Sequence, residues 1–292
     1  MISSMARAAL GWLAIFLAAA GVRAELPSEI RVVTYNIHHG EGTDKKIDLP
    51  RIAKRMLAER PDIIALQEVD QQTRRSGNVD QPAEFAKLTG MQVVFGRNID
   101  YDGGGYGTAV LTRLPIRSSE SVKLKSFYDS TPQHPEQRGV QVLELGEKGE
   151  PGMLFLCVHL DYRPAQEERL NSARTINELI KQRGGVPALV AGDFNAMPES
   201  ETIREFEKEW RVAGKPAAGA GQDRANPPAE ILTFPSSQPL RQIDYVMYRP
   251  ADCWQVEEVR VLDETVASDH RPVLAVLRLK NGSAKSPASN AN

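Results

Sequence analysis

The chain is poor in cysteine, in aromatic residues and in any surplus of one charge. Its two cysteines, Cys157 and Cys253, stand 96 positions apart in 292 residues, too few for a disulfide framework. With so little thiol and no His-x3-His spacing, no structural zinc site is expected. Cys157 falls in the apolar run Met153 to Val158, where a buried thiol is expected. Lys and Arg number 36 against 38 Asp and Glu, so the basic excess that drives duplex nucleic-acid binding is missing. Aromatic residues make up 6% of the chain, and no cluster of Trp or Phe marks an apolar hairpin that would enter lipid. No internal repeat is evident, and no linker divides Ile30 to Leu279 into two domains.

Long hydrophobic runs are also scarce. The stretch between Arg7 and Arg23 holds fifteen uncharged residues, Ala8 to Val22, short of the roughly 20 that a membrane span needs. Its basic start, apolar centre and Val22-Arg23-Ala24 ending read as a secretory signal over residues 1–24. That makes the mature chain secreted or periplasmic; an uncleaved membrane anchor is the alternative, and on either reading the domain is expected outside the cytoplasm. Removing residues 1–24, which hold two Arg and no acid, leaves 34 basic and 38 acidic side chains, a net charge of −4.

What is present is an alternation of short apolar runs with longer amphipathic segments, the pattern of an α/β domain over residues 25–279. Strands are expected at Ile30–Tyr35, Asp62–Gln67, Met91–Phe95, Gly107–Thr112, Gly139–Leu145, Met153–Leu160, Val186–Ala191, Ile243–Tyr248, Trp254–Leu262 and Pro272–Leu279. Ten strands overfill a single doubly wound sheet, so two stacked sheets with helices outside are expected. Helices are expected at Asp48–Glu59, Pro164–Arg183 and Glu199–Trp210, a long loop at Ala213–Glu230 and a frayed polar tail over residues 280–292. Arg169, Arg174 and Lys181 read as a solvated helix face.

Polar side chains collect where these apolar runs end. Asn36, Glu68 and His159 follow strands, and Asp193 and Asn195 share one face just after another. Asp244 opens a strand, and Ser268-Asp269-His270 precedes the last one. The set is rich in oxygen donors, which suits a hard cation such as Mg2+ better than zinc.

Thr34-Tyr35-Asn36-Ile37, Gln67-Glu68-Val69, Tyr106-Gly107-Thr108-Ala109, His159-Leu160, Gly192-Asp193-Phe194-Asn195, Ile243-Asp244-Tyr245 and Ser268-Asp269-His270 together resemble the ordered motifs of the endonuclease/exonuclease/phosphatase superfamily. The resemblance spans Ile30 to Leu279 and implies a four-layer α/β/β/α sandwich that hydrolyses phosphate esters with a divalent metal, Mg2+ with Mn2+ or Ca2+ as substitutes. It implies Glu68 as the main metal ligand with Asn36 beside it, and Asp269 on the same or a second ion. Asp193 would orient or deprotonate the attacking water and Asn195 would fix that water or the phosphate. Asp244 and His270 match a carboxylate–imidazole pair, and His159 a phosphate contact. Whether Asp193 or His270 acts as the base stays open at this point.

Tyr106, beside Gly103-Gly104-Gly105, is expected to line the cleft, and Arg138 to grip phosphate with its fork. His38 is read as a neighbour of the site, and His39 and His134 as loop residues. The substrate stays open among nucleic acid, a phospholipid or sphingomyelin head group and an inositol phosphate, and the acidic balance argues modestly against nucleic acid. Loops at Asn98–Gly105, Phe127–Arg138 and Ala213–Gln242 are expected to decide the choice. An inactive binding protein on the same scaffold is the other class, argued against by the completeness of the polar set. No stable protein partner is implied, and a monomer is expected.

Overall fold

A computed structural model describes residues 26–126, 136–215 and 231–280. The expected signal segment, His134, most of the Ala213–Glu230 loop and the tail beyond Lys280 lie outside the described residues.

Twelve strands form two six-stranded sheets. The first joins β11 (Trp254–Val261), β12 (Val273–Leu279), β1 (Glu29–Asn36), β2 (Ile63–Gln71), β4 (Gly104–Thr112) and β3 (Gln92–Tyr101), in that order. The second runs β5 (Ile116–Lys123), β6 (Gly139–Leu145), β7 (Met153–His159), β8 (Ala188–Asp193), β10 (Asp244–Arg249) and β9 (Arg211–Val212). Each sheet holds one parallel pair, β1 with β2 and β7 with β8, amid antiparallel neighbours.

Successive side chains on a strand point to opposite faces, and here both faces are buried. On β1, Val32 packs into the layer between the sheets with Phe155, Leu189 and Ala275, whereas Val33 packs outward with Ile52, Met56 and Phe85. On β7, Phe155 and Cys157 face the other sheet, while Leu154, Leu156 and Val158 meet Ile176, Ile180 and Trp210 outside it. Two-sided burial explains why the central strands read as continuous apolar runs. Helices α1 (Leu49–Leu57) and α2 (Gln81–Thr89) cover the first sheet, and α3 (Glu167–Gln182) and α4 (Glu201–Phe206) the second, which gives the expected α/β/β/α sandwich.

Departures from the expected elements have local causes. The β5 strand, Ile-Arg-Ser-Ser-Glu-Ser-Val-Lys, is mostly exposed at a sheet edge, where charge discourages further pairing and no apolar run forms. Strand β9 is two residues long. Helix α2, absent from the expected helices, buries only Gln81, Pro82, Phe85 and Thr89, so its apolar stripe is faint. The Asp80 side chain accepts from Ala83 N, a contact typical of helix starts and worth about 1 kcal/mol, and Gly90 closes the helix in the left-handed region. The Asn98–Gly105 segment is a tight hairpin with Asp102 and Gly103 both at positive φ, the twist-compatible turn for paired strands. Arg169 is a correction. It is buried at the first turn of α3, where its guanidinium donates to Asp161 O at 2.9 Å and Pro164 O at 3.4 Å, while Arg174 and Lys181 stay exposed. Its fork is used to satisfy loop carbonyls after β7.

Candidate active site

Sheet register alone places three of the residues in a row. His159 on β7 lies opposite Asp193 on β8, and Asp193 lies opposite Asp244 on β10. The approach of β7 to β8 requires Gly192, because a Cβ there would sit 1.9 Å from Val158 O. The other sheet supplies Asn36 from the end of β1 and Glu68 from β2. Strand β2 does not stop at Gln67. A bulge shifts its register against β4 between Leu66 and Val69, and Glu68 takes φ 59°, which re-aims its side chain toward Asn36.

Asp193 is the hub. Asn36 Nδ2 donates to Asp193 Oδ2 at 3.1 Å and to Glu68 Oε1 at 3.0 Å, bridging the two sheets. Asn195 N donates to Asp193 Oδ1 at 2.8 Å, and Asn195 Nδ2 holds Leu160 O at 3.1 Å. His159 Nε2 lies 3.6 Å and His270 Nε2 3.8 Å from Asp193 Oδ2. His270 Nδ1 pairs with Asp244 Oδ2 at 3.0 Å. Ser268 ties this segment down, because its Oγ donates to Asn36 O at 2.7 Å and accepts from His270 N at 3.3 Å.

Burial drives the electrostatics. It raises the Asp193 carboxyl, helped by the neighbouring Asp244, while His270 and the Asn195 and Asn36 donors pull the other way. Burial would lower His270, but Asp244, by charge and hydrogen bond, then Asp193 and Asp269 raise it well above an ordinary imidazole. His159 goes down, first through burial and then through the positive charge of Arg138 and His270. The site thus sets a carboxyl shifted toward neutrality between one neutral and one cationic imidazole.

Among the described residues, Asp193, Asp244 and His270 offer donor atoms within 4.8 Å of one another, as do His38, His39 and Glu41. In the first group His270 Nδ1 is engaged by Asp244, so its role is that of a charged pair. Glu68 is partly exposed, and its carboxylate receives the Asn36 amide. Asp269 lies beside His270 with Ser268 Oγ 3.4 Å from its Oδ1. Asp244 Oδ1 is buried with no hydrogen-bond partner among the described residues. Oxygen donors with spare lone pairs and no thiolate fit a hard divalent cation.

Arg138 is buried beside Glu136, Nη1 to Oε1 at 3.0 Å, and its Nε has no hydrogen-bond partner among the described residues. Tyr106 is buried, its hydroxyl pushed up by burial and then by Glu68 and Glu136, which puts the ring on the Glu68 side of the site. Two contributors went unread in the sequence. Ser268 was part of a motif without a role, and Phe234, whose ring lies 4.8 Å from that of His270, sits in a segment read only as loop. Nothing in the spacing marked Phe234.

A two-sheet sandwich with a carboxylate hub, a charged imidazole pair and a set of oxygen donors at one end defines a phosphoric ester hydrolase that uses a divalent metal. The profile of the endonuclease/exonuclease/phosphatase family matches residues 33–270, and the chain belongs to that family. The uncharacterized protein YbhP of Escherichia coli (strain K12) is 28% identical over 265 residues, covering 85% of this chain and 96% of its own. Mouse Nocturnin is 28% identical over 255 residues, of which this chain spans 76% of itself and 56% of the relative. Among solved structures, the Bacteroides thetaiotaomicron mannosyl-6-phosphatase Bt3783 superposes with a TM-score of 0.66 at 19% identity, covering 85% of this chain and 99% of that one. The last likeness is one of fold.

Proposed function

We propose that this protein is an exported, Mg2+-dependent phosphodiesterase that hydrolyses its ester by in-line attack of an activated water. The observation that carries the reading is the convergence of Asn36 and Glu68 from one sheet with His159, Asp193 and Asp244 from the other, around one carboxylate. Asp193, with its carboxyl shifted toward neutrality and oriented by Asn36 and Asn195, takes the proton from water. His270, kept cationic by Asp244, faces the phosphate and balances its growing charge. Neutral His159 donates from the other flank, and Arg138 and Tyr106 line the approach. Glu68 with Asn36, and Asp269 as a further oxygen donor, would hold Mg2+, or Mn2+ or Ca2+ in its place, which when bound supplies positive charge to an ester oxygen.

Hydrolysis of bis(p-nitrophenyl) phosphate is expected to require added Mg2+, to stop with EDTA and to exceed that of p-nitrophenyl phosphate. Faster turnover of the monoester would reassign the protein as a phosphomonoesterase. No turnover of either, with metal bound normally, would make it a binding protein. Plasmid DNA, RNA, sphingomyelin, phosphatidylcholine and inositol phosphates compared in one assay then fix the substrate class. Export is supported by the Ala8–Val22 run and the Val22-Arg23-Ala24 site, and the mature N-terminus of protein recovered outside the cytoplasm is expected at Glu25. A full-length N-terminus on membrane-bound protein would point to the anchor instead.

A further inference from the structure

The turn that leaves β1 carries a second group of donors that the hydrolytic reading does not use. His38 and His39 follow Asn36 after the single residue Ile37, and both hold the left-handed backbone at φ 45°, a conformation non-glycine residues adopt only when their surroundings enforce it. The enforcement is visible. Gln81 Nε2 donates to His39 O at 2.7 Å, Glu41 N donates to His38 O at 2.9 Å, and Glu41 pairs with Ile47 across the loop. The outcome is that two imidazoles stand edge to face with centroids 4.5 Å apart, and the Glu41 carboxylate closes the group with Oε2 4.0 Å from His39 Nε2. One ligand atom from each of the three lies within 4.8 Å of the others.

Two details single this group out from an accidental pair of histidines. His38 Nδ1 lies 3.2 Å from the Glu41 carbonyl oxygen, to which it donates, leaving Nε2 with its lone pair free. Metal-binding imidazoles are oriented in this way, by a backbone carbonyl behind the ring. His39 Nδ1 is buried and has no hydrogen-bond partner among the described residues. Its ring is only 13% exposed, so the missing partner is not readily replaced by bulk water. Nearby positive charge is already engaged: Arg75 forms a two-pronged pair with the buried Asp70, and Lys45, at 3.2 Å from Glu41 Oε1, has a 77% exposed side chain that can swing away.

We propose that His38, His39 and Glu41 form a second metal site, distinct from the Glu68–Asn36 centre, that takes a borderline transition-metal ion of the Zn2+ class. Two imidazoles and one carboxylate match the donor preference of Zn2+ and leave a fourth position for water. Mg2+, which prefers all-oxygen octahedral surroundings, does not compete well there. The site is coupled to the catalytic end by a hydrogen bond, since His38 N donates to Asn36 Oδ1 at 3.1 Å and thereby turns the Asn36 amide toward Glu68 and Asp193. Occupancy would stiffen that turn.

The test is equilibrium dialysis of the full chain against Zn2+ in millimolar Mg2+, with bound metal counted by mass spectrometry and with Co2+ as a visible-absorption probe of coordination. One tight equivalent is expected in the wild type, with binding in His39→Ala and Glu41→Gln weakened about 10–100-fold or more, the loss already typical of partners one shell further out. Asp193→Asn is expected to keep that equivalent. Glu41→Gln removes charge without volume from a partly exposed position, so it decides the matter if His39→Ala misfolds by circular dichroism. The proposal is overturned if wild type retains no Zn2+ equivalent beyond Mg2+, if Glu41→Gln retains it unchanged, or if only Asp193→Asn loses it. None of these readouts depends on hydrolysis, so they stand apart from the proposed activity.

Discussion

Asp193→Asn is expected to lower turnover by about 10²–10⁴-fold, the usual worth of a positioned proton acceptor, without lowering the melting temperature. The activity side follows from geometry, because Asp193 is the one carboxylate contacted by Asn36, Asn195, His159 and His270 together. The stability side follows from its electrostatics. Burial first, and Asp244 second, raise its carboxyl, so the ionised form is held against the preference of the fold. An amide of the same shape escapes both penalties, which offsets the one acceptor it gives up, since Asp193 accepts on both oxygens, from Asn36 and from Asn195 N. Turnover and thermal unfolding measured in the same buffer check the pair of claims. Near-normal turnover would remove Asp193 from the reaction, and a large fall in melting temperature would show that its charge supports the fold.

His270→Ala should depress turnover by a similar order, and Asp244→Asn should move the alkaline edge of the rate profile to lower pH. The sign is fixed by which form acts. Burial opposes the charge on His270, yet Asp244, by charge and hydrogen bond, with Asp193 and Asp269 outweighs it and raises the imidazole, so the cationic form is present below that raised value and is lost as pH climbs through it. With Asn at position 244 the leading support for that charge is gone while burial still opposes it, and the edge should retreat by about 1–3 pH units. The profile of kcat/KM, which reports the free enzyme, is the measurement. An unmoved edge would mean that Asp244 does not sustain the charge.

Much of the architecture was legible because its central strands are buried on both sides, which leaves a plain apolar signature. Val32 and Val33, or Leu154 and Phe155, are adjacent in sequence yet serve opposite layers, and burial on one side alone would have produced alternation instead of a run. The strands that escaped notice are those with little to bury, β5 at an edge, where only Ile116 and Val122 pack on the core, and the two-residue β9, which buries Val212 alone. The site was legible for a related reason: a polar group that interrupts such a run has been placed at the rim of a sheet, as Asn36, His159 and Asp193 are. Glu68 followed no such rule. Its strand continues past it, and only a local register slip with a left-handed residue sends its carboxylate to Asn36, something no alternation pattern encodes. Arg169 was misread because helical spacing tells which face a side chain starts from, not where a long one ends. The loop carbonyls that claim it are set by tertiary structure.

Neither sheet carries a working set of groups by itself. One brings Asn36 and Glu68 and, through the segment before β12, His270; the other brings His159, Asp193 and Asp244, and the hydrogen bonds from Asn36 to Asp193 and from His270 to Asp244 cross between them. Chemistry in this protein is therefore a property of assembly rather than of either half. A chain is inert until β12, the last strand among the described residues, has joined β1 and brought the segment before it, with His270, onto the other sheet's Asp244.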